Sequence, residues 1–281
     1  MQHTSRPQGA ALHRALPLAG KGLIFITVGL LLVGWLLNTP AGLLGKADAI
    51  GYAVCHRIDV RTFHLGDRQL PLCARCTGMY LGAMLGLVFQ ALAGQRRSSH
   101  PAGMPSRPVL VCLGLLLVAF GVDGVNSFLH LFPGAPELYE PSNLLRLLTG
   151  TGMGLALALV LYPAFNQAVW QEIDPAPVVN GLRTFLLIVL LALALDWLVW
   201  LQNPLLLFVF ALVSAAGVLV ILTMVYSLFW LLILRKENSY QRLAQMLLPL
   251  VGGFGIALLQ IALFDLARFA LTGTWDGFHL G

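Results

Sequence analysis

The chain has 281 residues, 58% of them hydrophobic and only 10% charged, with a formal net charge of +5. Soluble domains carry about 25% charged residues, so too few charges remain here to cover a water-exposed surface, and lipid is the expected solvent. In lipid every backbone N–H and C=O needs an internal partner, which leaves helices or closed barrels, and the apolar runs are continuous rather than alternating, which selects helices.

Residues 1–22 are polar and basic and read as a cytoplasmic tail. The first helix is predicted over 23–44, followed by a polar loop over 45–75 and by helices over 76–92, 109–131 and 144–161. Pro133, Pro136 and Pro141 lie between the last two, where they exclude a continuous helix. Further helices are predicted over 185–201, 205–234 and 247–271, separated by Asn203-Pro204 and by Arg235-Lys236-Glu237-Asn238. The fold class is therefore all-α, a polytopic transmembrane bundle of about seven helices. A composition change near 166–182 divides it into a four-helix membrane domain, 23–166, and a three-helix C-terminal extension, 167–281.

The 17 Lys and Arg residues divide ten to seven between the two sides, and several of the seven fall in a motif. That bias places the N-terminus inside and the polar loop outside. Ala47-Asp48-Ala49 resembles a signal-peptide cleavage site, and cleavage there would also leave the loop outside. No basic tract is interleaved with aromatic residues, so the positive charge is assigned to topology and no nucleic acid partner is expected.

The loop carries the chemistry. Three of the four cysteines fall in it, as Cys55-x17-Cys73-x2-Cys76, beside His56 and His64. A Cys-x2-Cys pair can bring two sulfurs to one tetrahedral metal, with Cys55 and a histidine completing the set; zinc suits such donors, and so do softer transition metals. The same atoms suit thiol–disulfide exchange, because a helix N-terminus and the neighbouring Arg57 and Arg75 favour a thiolate. They also suit a plain staple that orders the loop. Cys112, alone in a helix, reads as a small apolar residue.

Asp123, Asn126, Ser127 and His130 share one helical face, and a polar stripe in a membrane helix belongs inside the protein. Asn143 and Arg146 share the start of the next helix, and Arg146 is the expected ion-pair partner of Asp123. Asp123, Asn143 and Arg146 are the candidate binding cluster for a cofactor, small molecule or ion. Asp196 and Asp265 are expected at similar depth beneath the loop, with Arg268 positioned to neutralise the latter. Trp197, Trp200 and Trp275 read as interfacial anchors, and Gly150-Thr151-Gly152-Met153-Gly154 as a close helix contact.

The order Cys55-His56-Arg57, Arg61-Thr62-Phe63, Pro71-Leu72-Cys73-Ala74-Arg75-Cys76-Thr77-Gly78-Met79-Tyr80, Asp123-Gly124 and Ser142-Asn143-Leu144-Leu145-Arg146 with Thr149-Gly150 resembles the domain-of-unknown-function 2085 family. The resemblance implies a multi-pass protein of a prokaryotic plasma membrane and supplies no activity. Since His64 matches no motif position, it favours His56 as fourth ligand. Two function classes follow. The first is an outward-facing metal site of Cys55, His56, Cys73 and Cys76, coupled to the polar cluster in transport or metal-dependent chemistry. The second is a quinone-linked thiol–disulfide oxidoreductase, and a stapled assembly protein stands behind both. No P-loop, His-Glu-x-x-His, Rossmann glycine pattern or haem Cys-x-x-Cys-His occurs.

Overall fold

The computed structural model describes residues 18–95, 99–132 and 134–277. The tail predicted over 1–22 therefore lies outside it up to residue 17, as do Arg96 and Arg97. Among the described residues the chain is all-α, with eight helices and four short strands. The helices are α1 (Leu18–Asn38), α2 (Gly42–Val54), α3 (Ala74–Gly94), α4 (Arg107–Leu129), α5 (Asn143–Val169), α6 (Leu182–Trp200), α7 (Pro204–Leu234) and α8 (Leu247–Thr272). All but α2 are long and apolar enough to cross a membrane.

α2 is the main departure from expectation. The first helix stops at Asn38, before Pro40, and a second one runs through what the sequence suggested was loop. Its polar residues have internal partners. Lys46 donates to the Thr39 carbonyl at 2.9 Å and to the Leu36 carbonyl, and Asp48 pairs with Arg57 and Arg68. Its apolar residues, among them Ala47, Ile50 and Tyr52, are buried, and the helix packs against α7 and α8. The second departure is α5, which continues through Pro163 to Val169. Asn166 and Gln167 look like loop residues but donate to the backbone of Pro101 and Ala102.

The packing follows a row in the order α1, α8, α7, α3, α5, α4, with α6 against α3 and α5. At its centre two stripes of small residues interlock. A Cβ on Gly78 would sit 2.3 Å from the Leu147 carbonyl oxygen, one on Gly82 2.4 Å from that of Thr151, and one on Gly154 1.9 Å from that of Met79. Only glycine permits such approach, and close backbone packing is what binds helices where lipid removes the hydrophobic drive between them. α1 lies at the edge, with Leu23, Ile26, Leu30 and Leu37 exposed, as lipid-facing residues should be.

The connections segregate to two ends. At one end β3 (His100–Gly103) pairs in parallel with β4 (Ile173–Pro177), His100 stacks on Trp170 at 3.8 Å, and the Gln171 amide donates to the Tyr240 carbonyl. At the other, residues of 39–73, 130–142 and 273–277 meet. Seven alternating crossings require that division.

Candidate functional site

The Cys loop folds back on itself. α2 ends at Val54 and leaves Cys55 extended. Arg57 then turns the chain with a left-handed backbone (φ 51°), a conformation that persists only where surroundings fix it. Here its guanidinium reaches Asp48 at 3.1 Å and the Trp275 carbonyl at 3.2 Å. A single turn of 3₁₀ helix and a small hairpin of β1 (His64–Leu65) and β2 (Arg68–Gln69) return the chain to α2. Gly51 permits the return, because a Cβ there would lie 1.8 Å from the Pro71 carbonyl oxygen. Cys73 is thereby delivered beside Cys55 as the N-cap of α3, with Cys76 in the first turn.

The ligand atoms of Cys55, Cys73 and Cys76 all lie within 4.8 Å of one another, and all three are free thiols. The Cys73 amide donates to the Cys55 sulfur at 3.3 Å. Thiol–thiol hydrogen bonds from Cys73 and Cys76, with the nearby His56, hold the Cys55 thiol well below its ordinary range against the contrary pull of burial. The same bond to Cys55, reinforced by burial, pushes the Cys73 thiol up to about 12. The cluster therefore favours ionisation at Cys55 over Cys73. Cys55 is 6% exposed and Cys73 3%, so a macromolecular thiol has no direct path to either sulfur. Cys112 is separate, half-buried among apolar residues of α4, α5 and α6.

His56, expected as the fourth ligand, lies outside the group of three thiols; its Nδ1 accepts from the Ile58 amide at 3.0 Å. His64 is occupied with Asp59 at 2.9 Å. The cover over the thiols comes instead from the far end of the chain. Arg268 donates to the carbonyls of Tyr52 and Cys55, each at 2.7 Å, and its guanidinium lies 4.0 Å from the Tyr52 ring centroid. Trp275, expected as a membrane anchor, packs on Tyr52 at 5.1 Å and joins the apolar cluster around Cys55. Trp197 remains exposed at 62%.

Hydrogen bonds divide Asp123, Asn143 and Arg146 between two sets of partners. Asp123 takes its ion pair from Arg75, not from Arg146: Arg75 Nε donates to Oδ2 at 3.1 Å, and its Nη2 reaches Oδ2, the Asp123 carbonyl and Ser127 Oγ. Arg75, in the first turn of α3, is close enough to span Asp123 and Ser127 one helical turn apart. Arg146 turns back along α5 and donates to Asn143 Oδ1 at 2.9 Å. Asn143 in turn donates to the Val60 carbonyl at 3.1 Å. Thr149 and Tyr139 also donate to the Asp123 carboxylate, at 3.2 and 3.1 Å. Burial, and the bond to Asp123, push the Tyr139 hydroxyl up, which keeps it a donor. Asn126 clamps the Leu138 amide and the Tyr139 carbonyl. Asp196 and Asp265 have partners of their own, Thr151 at 2.6 Å and Trp35 at 2.9 Å. Arg75 stood inside the quoted motif and could have been chosen from it; nothing in the sequence pointed to Arg268 and Trp275 as neighbours of the Cys loop, or to Tyr139 as a donor to Asp123.

Residues 55–160 match a family described as "Predicted membrane protein (DUF2085)". An uncharacterized protein of Methanothermobacter thermautotrophicus is 32% identical over 107 residues, which cover 38% of this chain and 83% of that protein. The uncharacterized protein MJ1492 of Methanocaldococcus jannaschii is 23% identical over 124 residues, 44% of this chain and 71% of that protein. No solved structure matches the chain.

Proposed function

The chain belongs to the DUF2085 family of predicted membrane proteins, and from that premise we propose that it is a metal-binding protein of a prokaryotic plasma membrane whose outward-facing thiols hold one soft or borderline cation. The observation that supports this reading is the convergence of Cys55, Cys73 and Cys76 within 4.8 Å at a helix start, with a backbone N–H on one sulfur. Three sulfurs leave a fourth position for a non-protein donor, as sites that act on a bound species require. Zinc fits such a set, and thiolate softness admits monovalent copper. Burial of two of the sulfurs disfavours thiol–disulfide exchange, which needs access. Both relatives are from archaea, in keeping with a prokaryotic membrane. Three of the seven cations of the loop side are held in ion pairs, Arg57 and Arg68 with Asp48 and Arg75 with Asp123. Their charge is engaged within the fold, which widens the excess of the other side's ten and favours an N-terminus inside.

Elemental mass spectrometry on the full chain purified in detergent tests the reading. The expected result is about one metal per chain, lost in Cys73→Ser/Cys76→Ser. Because Cys73 holds its proton at neutral pH, loading metal into the stripped protein should release protons, measurable in weakly buffered solution. A metal-free protein that takes up neither zinc nor copper, and whose Cys73 and Cys76 cycle between disulfide and dithiol with a quinone, would sink the metal reading and establish the oxidoreductase.

A further inference from the structure

Beside the thiol site, at the same end of the bundle, a concave cavity of about 600 Å³ opens between the Cys loop and the start of α5. Arg61, Arg146 and His130 line it together with Val60, Phe132 and Pro141. Both arginines are buried, at 7% and 6% exposure. Arg61 donates to the Ser127 carbonyl at 2.8 Å and Arg146 to Asn143, so each meets a neutral acceptor and neither has a carboxylate of its own. Arg146 Nε is buried without any partner. Arg75 adds its positive field to both. The carboxylate that acts on Arg146, Asp123, is taken in ion pair by Arg75. Glu137 pairs with His130.

Buried guanidinium groups left without counter-charge are costly, and a concave arginine-lined site is how proteins recognise oxyanions. The N-terminus of α5, with Ser142 as its cap, adds partial positive charge from the same side. We propose that this cavity binds a phosphate group between Arg61 and Arg146, with any apolar substituent lying against Val60 and Phe132. The two sources of that chemistry at a membrane surface are a phospholipid headgroup and a free phosphate.

The test is equilibrium binding to the delipidated full chain in detergent, with two probes: inorganic phosphate and dihexanoyl-phosphatidylglycerol. Binding of the lipid alone assigns the site to a headgroup, and binding of phosphate assigns it to a soluble anion; either supports the proposal if Arg61→Gln and Arg146→Gln weaken it by about tenfold or more. Val60→Glu, at an exposed position on the rim, places a carboxylate at the mouth without removing either arginine, and should weaken binding even if the arginine variants fold poorly. Arg68→Gln, on the Asp48 side of the loop, should leave it unchanged. No binding of either probe to the wild type, or equal binding in wild type and Val60→Glu, would overturn the proposal.

Discussion

Asp123 is 1% exposed and accepts from Arg75, Tyr139 and Thr149, so one carboxylate ties α3, α4, α5 and the segment 132–142. Breaking a buried pair from one side leaves the other charge uncompensated. Asp123→Asn should therefore destabilise the protein by about 3 kcal/mol, against about 1 kcal/mol for Thr149→Val, which removes one neutral donor. Thermal unfolding in detergent measures both, and an Asp123→Asn variant as stable as the wild type would show that Arg75 is neutralised elsewhere. At this scale the sequence was a partial guide. The thiols were legible because Cys-x2-Cys at a helix start carries its geometry within four residues. The partner of Asp123 was not, because periodicity places residues on a face and says nothing of which arginine on a neighbouring helix meets it. Nor was the hydrogen bond that engages His56 Nδ1 with the Ile58 amide, which depends on how the chain turns after it.

Long, uniformly apolar elements were the easiest to read, since length and composition alone define a membrane span. α2 was missed for the opposite reason: its Lys46, Asp48 and two glycines look like loop until their tertiary partners are known. The α3–α5 contact shows what glycine contributes at this scale. Gly154 of α5 lies where a Cβ would meet the Met79 carbonyl at 1.9 Å, whereas Gly114 of α4 has nothing within 4 Å. Gly154→Leu should therefore separate the two central helices and abolish recovery of folded protein, while Gly114→Ala should be neutral or stabilising by about 0.5–1 kcal/mol. Size-exclusion profiles and melting temperatures of the two variants make the comparison. Equal tolerance would mean that α3 and α5 do not pack this closely.

Taken whole, the molecule has two faces that never mix: the β3–β4 ribbon and its neighbours at one end, the thiols and the arginine cavity at the other. Their sidedness can be measured directly. In a cysteine-free background, Arg68→Cys should react with a membrane-impermeant maleimide in intact cells, and Lys236→Cys only after permeabilisation; the reverse pattern would invert the orientation. The cover over the thiols has a consequence in time. Arg268 grips the Cys55 carbonyl from 213 positions further along the chain, and a ribosome adding about 5–20 residues per second needs about 10–40 s to make that stretch. For most of this interval Cys55, Cys73 and Cys76 have been synthesised and the end of α8 that grips Cys55 has not. Until α8 is made, the three sulfurs lack the contacts that bury them in the finished fold, so synthesis itself is a window in which they are open to reagents that the folded protein excludes.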